Sequence, residues 1–133
     1  MTFDPQATFA NLTEKERLKG HHSAEGRAIR TLGRAINGWS SGNLAAFDVL
    51  VLCDQSLEEW LKARLRVSAW STQGFPALLE KAVASGLIAR MEAVRLLKLH
   101  NARFRAHDEG NAIAANEVEA ALELSIQLVE KYW

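Results

Sequence analysis

The feature that most constrains this chain is the stretch 43–67, where apolar side chains recur three and four positions apart with no proline to interrupt them. Phe47, Leu50, Val51, Leu57, Leu61 and Leu65, with Asp54 and Glu58 in the same series, share one side of a helix. Glu59, Lys62, Arg64 and Arg66 fall largely on the other side. A helix of roughly 25 residues is long for a globular protein and is expected to span the domain as a central element. Only two prolines, Pro5 and Pro76, occur in the 133 residues, so long windows are open to helix. No strand-like alternation, internal repeat or low-complexity segment interrupts the pattern. The expected fold is all-α, an antiparallel helical bundle of four to five helices.

The flanking segments divide by their turn and cap signals. Residues 1–12 carry Pro5 and no sustained period, and are expected to form an N-terminal arm, mobile or packed on a partner; residues 13–133 form the single helical domain. Asn11 or Thr13 suits a helix cap, with Glu14 and Glu16 behind it, and Leu18, Ala28, Ile29, Leu32 and Ile36 continue at helical spacing. A break is expected at 19–23 and a turn at 37–42. A short helix over 77–84 follows Pro76 and stops at Gly86. Another runs from 89 to about His100, and 108–111 reads as a loop. The last helix, 116–131, begins at Asn116 and buries Val118, Leu122, Ile126 and Val129.

Composition excludes several classes of function. Lys plus Arg and Asp plus Glu are 16 each, so net charge does not mark a nucleic-acid binder, and an anion site must come from local clustering. The single Cys53 forms no intramolecular disulfide and reads as a small buried hydrophobe. Residues 1–10 lack the basic and apolar regions of a signal peptide. The apolar run 49–53 is far short of the roughly 20 residues of a membrane span, so no membrane association and a cytoplasmic setting are expected. His21 and His22 point in different directions on a helix and read as a surface pair, with no metal or other cofactor implied. Trp39, Trp60, Trp70 and Trp133 read as core or interface residues.

One segment concentrates chemistry. Residues 98–110 hold His100, Asn101, Arg103, Arg105 and His107, two imidazoles, two guanidiniums and an amide within eight positions. Arg103 and His107 are four apart and share a helix face, as do Asn101 and Arg105. Guanidinium can clamp a phosphate, and imidazole can move protons near neutral pH. That pairing suits metal-free RNA cleavage, with His taking or giving a proton and Arg stabilising the phosphorane. The competing reading is a helix end whose cations favour the negative pole of the dipole.

The phrase 99–107, the following helix, the segment 56–62 (SLEEWLK) and the segment 79–88 (LEKAVASGLI) together resemble HEPN domains, over about residues 44–132. The resemblance implies a helical domain that targets RNA, an endoribonuclease of the toxin or phage-defence kind, and a homodimer whose two motifs face one cleft. It implies His107 as general acid or base, Arg103 and Arg105 as phosphate clamp, and His100 with Asn101 as substrate-placing groups. Asp54 and Glu58 would be supporting acids. The chain departs from the family pattern of an Arg followed by a polar residue, with four to six residues between the Arg and the His. Arg103 has three residues before His107, and Phe104 stands in the polar slot. A shortened motif, His100-Asn101 standing in for Arg-Asn, and a decayed site all remain open. The rival function is a non-catalytic module for dimerisation, nucleotide binding or holding a partner, an antitoxin among them.

Overall fold

The computed structural model describes residues 4–19, 23–68, 70–109 and 113–131, with side chains described at all of these except 5, 6, 8, 9, 15, 16, 19, 103–109 and 131. Among the described residues there are six helices and no strand: α1 (Pro5–Lys19), α2 (Ala24–Ser40), α3 (Ala46–Leu65), α4 (Phe75–Ala84), α5 (Arg90–Glu109) and α6 (Ala115–Lys131). The fold is all-α, with six helices where the sequence pattern led to four or five.

The additional helix is α1, which takes in residues expected to form an arm. Pro5 starts it rather than preventing it, because proline at the first helical position loses no hydrogen bond. Asp4 Oδ1 accepts from Ala7 N–H at 3.3 Å, three residues on, in the manner of an N-cap. Leu12 is fully buried and anchors α1, which packs on α2, whereas Leu18 is exposed.

Ser23 caps α2, its Oγ accepting from Gly26 N–H at 2.9 Å. The helix runs on through 37–40, where composition suggested a turn. Gly38 explains the difference: Leu44 packs over it so closely that a Cβ there would run into Leu44 Cγ and Cδ1. The Gly38 carbonyl also accepts from Asn43 and Leu44 N–H at 2.9 and 3.1 Å, which turns the chain into α3.

Helix α3 is the central element, packed against α2, α4, α5 and α6. Val49, Leu50, Cys53, Leu57, Trp60 and Leu61 are essentially inaccessible to solvent. Ser56 is also fully buried, and its hydroxyl donates to the Ala28 carbonyl of α2 at 2.7 Å. The helix ends on Arg66 in the left-handed region (φ 56°, ψ 39°), with Val67 N–H returning to Lys62 O at 2.9 Å. Pro76 lies in the first turn of α4, and Gly86, at φ +79°, stands just past its end as expected.

Helix α5 begins where Glu92 reaches back to Ala89 N–H at 3.0 Å, half of a capping box. It continues past the expected end near His100 and through part of the expected loop, to Glu109, so the whole phrase 99–107 is helical. Among its described side chains Ala93 and Leu96 are buried, while Met91 and Val94 are exposed. The expected face of α6 is present: Val118, Leu122, Ile126 and Val129 are buried, with Ser125 among them. Among the described residues no helix is long and apolar enough to cross a membrane.

Candidate functional site

The clearest polar construction in the core joins α3 to α5. Asp54 stands in the apolar series of α3, and its carboxyl is only 3% exposed. His100, on α5, brings Nδ1 to 2.8 Å from Asp54 Oδ1. The His100 ring, 14% exposed, stacks on Phe75 of α4 with centroids 4.7 Å apart and planes 11° from parallel. Three helices thus set one imidazole: the Asp54 carboxyl engages Nδ1 and the phenyl ring of Phe75 holds the plane. A carboxylate on Nδ1 orients an imidazole in this way in many proton-transfer sites.

Asp54, one of the two acids expected to support the site, is buried. A carboxyl can be buried here because the imidazole satisfies it. Glu58, the other acid expected to support the site, pairs instead with Lys62 at 3.2 Å. It lines a cleft of about 740 Å³ with Arg27, Gln55 and Trp70, away from His100. Asn101 is exposed and lines a separate cleft of about 580 Å³ between α5 and α6, beside Lys98, Arg95, Leu124 and Glu117. The backbone of Arg103, Arg105 and His107 continues α5, and their side chains lie outside the described residues, as do His21, His22 and Trp133. Of the seven residues singled out by sequence, the structure brings Asp54 and His100 together.

Cys53 adjoins Asp54 and is fully buried. Burial pushes its thiol up to about 12; a hydrogen bond with Ser125 opposes the shift and the Asp54 charge adds to it. At that value the sulfur is a protonated core group and not a nucleophile. Trp60 is buried as expected, whereas Trp70 is 92% exposed and belongs to no core.

Two features were missed by the sequence reading. Phe75 precedes the proline that marks α4, and nothing in its spacing shows that it faces His100. Arg27, Arg30 and Arg34 of α2 line a cleft of about 430 Å³ against α1, and their three- and four-residue spacing was a legible signal. Among the described residues, no three His, Cys, Asp or Glu side chains form a metal-binding group. Compared with protein-family models, with curated proteins and with solved structures, the chain matches none.

Proposed function

We propose that this chain is a HEPN-like RNA-targeting protein, an antiparallel helical bundle that acts as a metal-independent endoribonuclease of toxin or phage-defence type. The observation that carries the reading is the Asp54–His100 pair, which holds an imidazole in one orientation at the start of the phrase 100–107. In the reaction, the ribose 2′ oxygen attacks the adjacent phosphorus and gives up its proton to one imidazole. The bond from phosphorus to the 5′ oxygen breaks, and that oxygen takes a proton from an imidazolium. The products are a 2′,3′-cyclic phosphate and a 5′-hydroxyl. His107 is the proton carrier of this scheme, Arg103 and Arg105 hold the phosphate, and His100 with Asn101 positions the substrate. Asp54 acts through His100 and is a positioning residue. Two copies would pair so that both motifs line one cleft.

A second reading has its own support. His100 is mostly buried and fixed on two sides, as suits a clip between helices. In that case the bundle is a non-catalytic module that binds a partner or a second copy.

The test is incubation of wild type, His107→Ala and Asp54→Asn with a mixed structured RNA in EDTA, followed by analysis of the cut ends. Cleavage that persists in EDTA, leaves cyclic phosphate ends and is lost in His107→Ala is the expected result. Equal inertness of folded wild type and variant sinks the nuclease reading in favour of the module. Sedimentation of the same samples reports the dimer.

A further inference from the structure

Helices α5 and α6 both pack on α3, yet they make little contact with each other. Between them runs the groove of about 580 Å³, with Leu50 of α3 in its floor. That volume is within the range of small-molecule sites, which runs from about 300 to 1,000 Å³. The groove stays open because small side chains stand along its walls: Ala102 on α5, and Ala120 and Ala121 on α6. Leu99 and Leu124 are half-buried beside them, so the described lining is mostly apolar. Lys98 and Ala102 each stand two residues from His100, about 200° around α5, so the groove and the imidazole occupy different faces of that helix.

The polar groups of the groove are few and their charge is unbalanced. Arg95 and Lys98, three residues apart on one face of α5, line it and are exposed. Among the described residues neither side chain takes part in an ion pair. Glu92, three residues before Arg95, accepts instead from Ala89 N–H at 3.0 Å. Glu117, the acid on the opposite wall, has a partner of its own. The next acids along α5, Asp108 and Glu109, stand about 15 Å or more beyond Lys98 at the helical rise. An apolar groove edged by two unpaired cations is complementary to a molecule with an apolar body and one acidic head. Guanidinium matches a carboxylate in a two-bond fork, and an ammonium adds a point charge beside it. No aromatic ring stands among the described lining residues, so the groove offers the bases of a single strand nothing to stack on.

We infer that the α5–α6 groove binds an aliphatic carboxylate, its head group on Arg95 and Lys98 and its chain along Leu99, Leu124 and Leu50. The inference is independent of the nuclease reading, which gives Arg95 and Lys98 no role.

The experiment is titration of the full chain with octanoate, octanol and acetate, each separately at matched ionic strength, followed by the methyl resonances of Leu99 and Leu124. The same titrations are run on Arg95→Gln/Lys98→Gln, on Ala120→Leu and on Arg64→Gln/Lys81→Gln, whose substituted residues are all exposed. Circular dichroism checks that each variant is folded. Octanoate is expected to shift both methyls saturably, with octanol at least about tenfold weaker and acetate without effect. Arg95→Gln/Lys98→Gln should weaken octanoate at least about tenfold and leave octanol unchanged, as loss of the head-group contacts requires. Ala120→Leu, which fills the groove, should weaken both, and Arg64→Gln/Lys81→Gln neither. Should the α5 variant misfold, single Lys98→Gln provides the same comparison. Absence of saturable shifts, octanol binding as tightly as octanoate, or undiminished octanoate binding by the α5 variant overturns the inference. So do methyl shifts produced by a short single-stranded RNA and not by octanoate, which would give the groove to nucleic acid.

Discussion

Replacing His100 separates the two contacts that hold it. In His100→Ala both the Asp54 bond at 2.8 Å and the stack on Phe75 are lost. A hydrogen bond to a charged group contributes about 1.5–3 kcal/mol, and an aromatic pair about 0.5–1.5 kcal/mol beyond its burial. The expected loss is therefore about 2–4.5 kcal/mol, a large share of the 5–15 kcal/mol typical of a domain this size. His100→Phe keeps a ring against Phe75 and should lose only the first part, about 1.5–3 kcal/mol. Asp54→Ala should cost a similar amount, and the double variant Asp54→Ala/His100→Phe little more than either alone. Urea unfolding of the four proteins gives the coupling energy directly, expected at about 1.5–3 kcal/mol, or a midpoint difference of about 1 M. A coupling below about 0.5 kcal/mol, the ordinary scatter of additive pairs, would refute the contact and remove the observation on which the proposed site rests.

Other expectations test the frame around the site. With its thiol raised to about 12, Cys53 is thiolate in roughly one molecule in ten thousand at pH 8, so alkylation should be far slower native than in urea; native labelling within tenfold of the unfolded rate would contradict its burial. Because the unfolded thiol ionises first, this group should reduce folding stability as pH rises above the ordinary 9.0, measurable as a falling urea midpoint that Cys53→Ala lacks. Gly86 sits at φ +79° in open space, so Gly86→Ala should cost about 1–2 kcal/mol through the backbone alone, read by thermal unfolding. Arg66, a non-glycine residue at φ 56°, predicts the reverse: Arg66→Gly should stabilise by up to about 1 kcal/mol, and a loss would show that the side chain outweighs the backbone.

How far sequence reached depended on whether the signal was local. The periodicity of 43–67 and 116–131 located α3 and α6 and about half of the residues they bury, because burial on one side of a helix writes itself into three- and four-residue spacing, while Phe47, Val51 and Leu65 of the expected face are only half-buried. Helix ends were less legible. Pro5 reads as a breaker or as a first helical residue depending on Asp4, and Gly38 reads as a turn residue until Leu44 is seen lying on it. The phrase around His100 drew attention by composition alone. Composition alone does not point to its partners: Asp54, 46 positions away, entered only through the family resemblance, and Phe75, on a third helix, was not found. The burial of Asp54 was not legible, because an acid within an apolar series is usually at the rim and only a tertiary partner makes the interior tolerable.

The polar groups buried in α3 bear on how that helix is set in its surroundings. Apolar packing is non-directional, and a helix coated with leucines can roll or slide by part of a turn at modest cost. Asp54 and Ser56 are two residues apart and project about 200° from each other, one toward α5 and the other toward α2. Each bond alone would leave a helix free to pivot about it. Together they fix its azimuth and its height at once, since any roll that relaxes one strains the other. Substituting both by apolar residues of similar size should therefore leave a helical, compact chain whose α3 has several settings, visible as broadened side-chain resonances before any fall in unfolding temperature.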